Sequence, residues 1–184
     1  MGESELLLSL LLDNLPGMAY RCQNDRNWTM RFVSSGALAL TGYTPDTLTA
    51  AQGVSYGDLI HPEDRDELYA GVQAAISERV AFRVTYRIVA ADGYVKWVWE
   101  QGSAVYSASG ELVGLEGFIT DITERKQAEQ ALKDNEQRFR SNADQLVRQS
   151  ETLKIINESL AAYVDHADWK AAFSSLLRGA LTQT

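Results

Sequence analysis

One cysteine, Cys22, and two histidines, His61 and His166, are the side chains of this 184-residue sequence best suited to nucleophilic or metal chemistry. A structural zinc site draws four ligands from closely spaced Cys and His. Three such residues scattered along the chain do not supply that set. Cys22 lies in the apolar stretch "MAYRC" and reads as a packed thiol. His61 stands just before Pro62, where it suits a helix start better than an iron ligand. The acids of "HPEDRDE" look like the first turn of a helix, where they complement the dipole, rather than paired catalytic carboxylates. The sequence contains no Ser-His-Asp order, P-loop or dinucleotide fingerprint. No catalytic residue and no metal ligand is assigned, and the chain is not expected to be an enzyme.

The bulk composition excludes other classes. Apolar residues make up 45% and charged residues 23%, a globular balance rather than a disordered one. The net charge of −8 repels a phosphate backbone, and no Lys/Arg run carries interleaved aromatics, so no nucleic-acid partner is expected. A single cysteine forms no internal disulfide and points to a cytoplasmic home. "ELLLSLLLDNL" falls short of the ~20 apolar residues that span a bilayer and lacks the flanks of a signal peptide, so no direct membrane contact is expected.

The elements that position these residues follow from periodicity and punctuation. Leu6 to Leu15 reads as a short helix closed by Pro16-Gly17. "MAYRC" and "WTMRFVSS" are strand-like. Gly42 suits the end of a helix over "GALALTGY", and Thr44-Pro45 suits the start of the next. "HPEDRDELYAGVQAAI" is a further helix with Pro in its first turn. "AFRVTYRIV" alternates strictly, with Phe82, Val84, Tyr86 and Ile88 on one face. Asp92-Gly93 marks a hairpin, "YVKWVWEQGSAVY" returns, and "LVGLEGFIT" is the last strand.

Beyond Ile122 the period changes. Leu132, Phe139, Leu146, Leu153 and Leu160 recur every seven residues, the spacing of a coiled-coil seam. The second core position is polar in most heptads, which lowers stability but helps to fix register. A homodimer is expected through this stripe, since such a long row of apolar residues would otherwise stay exposed.

Five segments now stand in a telling order: "LLDNLPGMAYRC", "FVSSGALALTGYTPDTL", "LIHPEDRDEL", "YRIVAADGYVKWV" and "GFITDITERKQAEQAL". Together they resemble a PAS domain with its PAC motif, and the last contains the Asp-Ile-Thr signature that ends the PAS core. The resemblance implies an α+β fold, with a five-stranded antiparallel sheet in the order 2-1-5-4-3 and short helices on one face. The expected parts are an N-terminal flanking helix over 1–15, the sensory domain over 16–123, and a signalling helix over 124–160. Residues 161–184 would be the helical start of a following domain. The stretch from Glu151 resembles the first helices of a GAF domain, and a break is expected near Asp165–Asp168.

The resemblance also sharpens the site. Flavin photosensors of this fold use a Cys on the short central helix, whereas "AQGVSYGDLI" has none. Haem-binding relatives place a His on the helix after the Pro, whereas "PEDRDELYAGVQAAI" has none. No cofactor is expected, although a small-molecule ligand of unknown identity would have room. A two-residue hairpin loop would turn Trp97 and Trp99 inward. A three-residue loop would turn Val98 inward, and the PAS pattern favours the latter. The N-terminal leucines would then cover the outer face carrying Val95, Trp97 and Trp99. The pocket candidates are Phe82, Val84, Tyr86, Ile88, Val98, Leu115 and Ile119. A plain apolar core remains the competing reading, because a pocket needs convergent polar groups and only the Tyr86 hydroxyl is at hand.

At the end of the last strand, Asp121 is expected to cap the helix with Glu124 at its third position, and Thr123 completes the signal-coupling set. The resemblance implies a bacterial signal-transduction module that couples ligand or conformational input to a downstream output domain. Histidine kinases of two-component systems and diguanylate cyclases are the usual outputs. The alternatives are a ligand-free dimerisation spacer and a flavin or haem redox sensor.

Overall fold

The computed structural model describes residues 16–166 and Arg178. The expected flanking helix over 1–15 lies outside the described residues, and so does all of 167–184 apart from Arg178. The chain divides after Ala128 into two compact units.

The first unit holds strands β1 (Met18–Cys22) and β2 (Met30–Val33), followed by short helices α1 (Ala37–Thr41), α2 (Pro45–Thr49) and α3 (Tyr56–Leu59). A 3₁₀ turn (Pro62–Asp64) leads into α4 (Arg65–Glu78). Strands β3 (Phe82–Val89), β4 (Val95–Tyr106) and β5 (Leu112–Asp121) complete an antiparallel sheet in the order β2-β1-β5-β4-β3. That order is the expected one.

Local chemistry sets these boundaries. Gly42 ends α1 at φ 79°, a left-handed position where a Cβ is costly. The Thr44 hydroxyl accepts the Thr47 N–H at 3.3 Å, and Pro45 opens α2. His61 does cap: its Nδ1 accepts the Glu63 N–H at 3.4 Å. The hairpin between β3 and β4 closes with the Ala90 N–H on the Tyr94 carbonyl, leaving a three-residue loop. Tyr86 therefore faces Val98, and Ile88 faces Lys96. The core lies between the sheet and its helices and includes Met18, Ile60, Val72, Ile88, Val98, Leu115 and Ile119, each at most 1% exposed.

Helix α5 (Thr123–His166) runs for 44 residues. It is described as far as His166, and the rest of the break expected near Asp165–Asp168 lies outside the described residues. In the single chain its stripe residues are exposed, from 55% at Leu160 to 77% at Phe139. No helix among the described residues is long and apolar enough to cross a membrane.

Candidate functional site

Period two decides which β4 side chains meet the core. With Val98 turned inward, Glu100 and Gly102 must follow it. Glu100 is only 7% exposed. Its carboxylate accepts the Tyr20 hydroxyl on Oε1 and the Tyr86 hydroxyl on Oε2, the latter at 2.6 Å. The Tyr86 oxygen in turn lies 3.0 Å from the Tyr56 hydroxyl. Because Tyr86 donates its one proton to Glu100, Tyr56 donates to Tyr86. Three phenols on β1, α3 and β3 thus aim their protons along two paths that end on one carboxylate.

Close backbone approaches make this convergence possible. Gly102 and Gly117 pair across β4 and β5, directly beside the Tyr20 hydroxyl. A Cβ on Gly102 would stand 2.7 Å from that oxygen and 2.4 Å from the Phe82 ring. Tyr56 is brought in by α3, which sits tightly on the β1–β2 loop. The Gly57 N–H and the Ser55 hydroxyl both donate to the Asn27 carbonyl, at 2.9 and 2.8 Å. A Cβ on Gly57 would lie 2.9 Å from the Arg26 carbonyl oxygen.

Beside the carboxylate is a cavity of about 10 Å³, room for one water-sized body. Tyr20, Tyr56, Tyr86 and Glu100 form its polar wall. Trp28, Ile60, Leu68, Val72 and Ile119 form the apolar wall, together with Cys22 and Met30. Burial pushes the Glu100 carboxyl above the usual carboxylate range, while the hydrogen bonds from Tyr20 and Tyr86 pull it back part of the way. Burial raises the Tyr20, Tyr56 and Tyr86 phenols too, and the nearby Glu100 charge adds to that rise. The Cys22 thiol moves the same way, through burial first and Glu100 second. These phenols and the thiol are therefore held protonated.

Of the seven pocket candidates, Tyr86 and Ile119 line this cavity. Phe82, Ile88, Val98 and Leu115 are buried in the surrounding core. Val84 is half-buried and lines a separate groove with Asp64 and Trp97. Trp97 and Trp99 are half-buried and Val95 is exposed. Tyr86 is not the lone polar group of this region. Glu100, Tyr20 and Tyr56 join it, and Glu100 was legible from β4 once Val98 was placed inward.

At the strand-to-helix junction the Asp121 carboxylate accepts the Thr123 N–H at 2.8 Å. The Ile122 carbonyl takes the first helical bond, from the Lys126 N–H at 2.9 Å. The N-cap position is therefore Ile122, one residue later than a capping box from Asp121 to Glu124 requires. Glu124 falls in the first turn, where it suits the dipole. Thr123 instead turns its hydroxyl to the sheet, accepting the Trp97 N–H at 3.0 Å, while the Ile122 N–H donates to the Trp97 carbonyl at 2.8 Å. Lys96 pairs with Asp121 at 3.7 Å and donates to the Ala39 and Leu40 carbonyls, each at 3.0 Å.

His61, Glu63 and Asp64 bring ligand atoms near one another, the one such group among the described residues. Arg87 already occupies both carboxylates, reaching Glu63 at 2.9 Å and Asp64 through its backbone N–H and guanidinium. The arrangement suits an ion pair rather than a metal.

Residues 30–119 match the family described as PAS fold. The chain is 37% identical over 106 residues to the methyl sulfide methyltransferase-associated sensor of Methanosarcina acetivorans, covering 57% of this chain and 10% of that protein. It is 33% identical over 165 residues to the blue-light-activated histidine kinase of Brucella anthropi, covering 86% of this chain and 31% of that protein. The chain thus spans a minor part of both relatives. Among solved structures, a sensory box histidine kinase/response regulator from Burkholderia thailandensis E264 superposes with a TM-score of 0.55 at 24% identity, covering 76% of this chain and 98% of that one. The PAS domain of a Colwellia psychrerythraea protein gives 0.54 at 18% identity, with 66% and 99% covered. These likenesses lend no support to the GAF resemblance of the segment from Glu151. Sheet order, helix placement and the family match agree that this chain carries a PAS-fold domain, its strands running from Met18 to Asp121.

Proposed function

We propose that the chain is a cytoplasmic sensory and dimerisation module of a bacterial signal-transduction protein. It couples a change at the Glu100 cavity to an output domain of the same polypeptide, a histidine kinase or a diguanylate cyclase. One observation carries this reading: Ile119 lines the cavity, β5 ends two residues later at Asp121, and α5 begins at Thr123. A displacement of β5 therefore has no flexible loop in which to dissipate. The relatives named above as a sensor and a histidine kinase support an output beyond the described fold. The exposed stripe from Leu132 to Leu160 supports pairing with a second copy.

A ligand-free dimerisation spacer would share the helix but give the cavity no role. A flavin sensor relying on a central-helix thiol would lack it, because Cys22 is the sole cysteine and lies on β1. Light scattering on the chain tests the dimer, with twice the chain mass expected. A monomer at about tens of micromolar overturns it. Coupling is tested by changing the helical phase of α5 in the longer protein.

A further inference from the structure

We propose that the Glu100 cavity is a recognition site for a small protonated amine of ammonium or methylammonium size, with the Glu100 carboxylate as its counter-ion. The proposal rests on the sensory reading above and gives that pocket a ligand class.

Charge is the first observation. Glu100 is buried, and the partners of its carboxylate are two neutral phenols. No salt bridge among the described residues includes it. A buried carboxylate without a cation is costly, and a cationic ligand removes that cost.

The direction of the hydrogen bonds is the second. The Tyr20 and Tyr86 protons are committed to Glu100, and the Tyr56 proton is committed to Tyr86. What remains free on this polar wall are oxygen lone pairs, and the other donors among the lining residues are the weakly donating Cys22 thiol and the Trp28 indole N–H on the apolar side. Such a wall accepts hydrogen bonds and offers almost none. It suits a ligand that only donates, as an ammonium group does, and it rejects anions. Potassium is close to ammonium in size and sodium is smaller, but either wants a fuller shell of oxygens than one side of an apolar cavity provides.

The third observation is the enclosure. Tyr20, Trp28, Tyr56 and Tyr86 surround the space, and aromatic rings beside a carboxylate are the chemistry that holds organic cations. The 10 Å³ cavity admits a water-sized body, which ammonium is. Methylammonium needs a small adjustment, which the flexible Met30 side chain can make.

The test uses the unmodified chain and Glu100→Gln. Thermal midpoints are measured at neutral pH and equal ionic strength in ammonium, methylammonium, potassium, sodium and tetramethylammonium chlorides. The midpoint should rise with ammonium or methylammonium concentration and stay flat in the other three salts. Glu100→Gln should weaken that apparent affinity at least about tenfold, the loss expected on removing a charged hydrogen-bond partner. A second readout needs no variant: ¹⁵N-labelled ammonium bound in the cavity should give a slowly exchanging proton signal with contacts to the Tyr56 and Tyr86 rings. Equal midpoints in all five salts, an unchanged selective rise in Glu100→Gln, or a cavity signal from water alone would overturn the proposal. None of these results bears on the dimer or the helix junction, so the sensory reading stands or falls separately.

Discussion

The backbone N–H of Trp97 donates to the Thr123 hydroxyl at 3.0 Å, tying the start of β4 to the first residue of α5. A strand N–H that would otherwise seek a ladder partner is satisfied by the helix it must hold. Thr123→Val keeps the shape and removes the acceptor. It should destabilise the domain by about 1 kcal/mol, near the low end for a stranded donor because the site is half-buried. Thr123→Ser should retain most of the stability. Urea denaturation gives both values, and amide hydrogen exchange at Trp97 should speed up in the Val variant alone.

Glu100 makes a pH prediction. Its folded value is raised above the ordinary 4.5. Protonated Glu100 therefore favours folding, a contribution fully present below about pH 4.5 and lost as pH rises through the folded value. Glu100→Gln should remove this contribution, so that variant should lose less stability than the parent over that upward range. Denaturation midpoints across pH 4 to 8 decide it. Parallel curves for parent and variant would show that the carboxyl does not titrate differently on folding.

Asp64 predicts the opposite slope. Hydrogen bonds from Arg87 hold its carboxyl below the usual carboxylate range. Its contribution is present above the ordinary 3.8 and fades as pH falls through the folded value. Asp64→Asn should lower stability at neutral pH and blunt the loss on acidification. An acid titration of near-ultraviolet circular dichroism compares the two slopes.

Which of these features the sequence disclosed follows from their range. The inward face of β3 was legible because Phe82, Tyr86 and Ile88 alternate with polar residues, and alternation is local. Gly42 and Thr44 were legible as punctuation for the same reason. The Asp121 junction was legible in kind but displaced by a residue, because Thr123 is drawn to Trp97, a partner 26 positions away. The tyrosine network was harder. Tyr20, Tyr56 and Tyr86 sit on three different elements, and only the folded sheet brings them together. Glu100 had a local signal, since Val98 inward forces it inward, but a charged residue directly after Trp99 and before Gln101 invites an outward reading. Gly102 and Gly117 were the other clue, two strand glycines where a Cβ would meet the Tyr20 hydroxyl.

The exposed stripe predicts association. Leu146 and Leu153 are 65% and 60% exposed in the single chain, a cost that pairing with a second copy removes. Replacing both with Asp would place charge in the seam and oppose burial. Sedimentation should show the parent as a dimer and the double variant shifted to monomer at the same concentration. Two indistinguishable profiles would place the dimer contact elsewhere or nowhere.

The last prediction concerns phase along α5. An α-helix advances about 100° per residue, so seven added residues return the stripe to within about 20° of its original face. Four added residues leave an offset of about 40° and a stutter, and two turn the stripe by about 200°, nearly to the opposite side. The stripe is unbroken from Leu132 to Leu160, and the helix start is pinned at Ile122 and Thr123 by Trp97. On the proposed reading, a rotation imposed at that junction would pass along α5 rather than be absorbed. In a longer protein carrying the proposed output domain, seven residues inserted between Arg140 and Leu146 should preserve regulation of the output. Four should shift its set point, and two should lock it on or off or uncouple it from the input. Output activity with and without stimulus, measured for each insertion, separates these cases. Regulation indifferent to insertion length would make α5 a passive tether and leave the Trp97–Thr123 bond with a purely structural role.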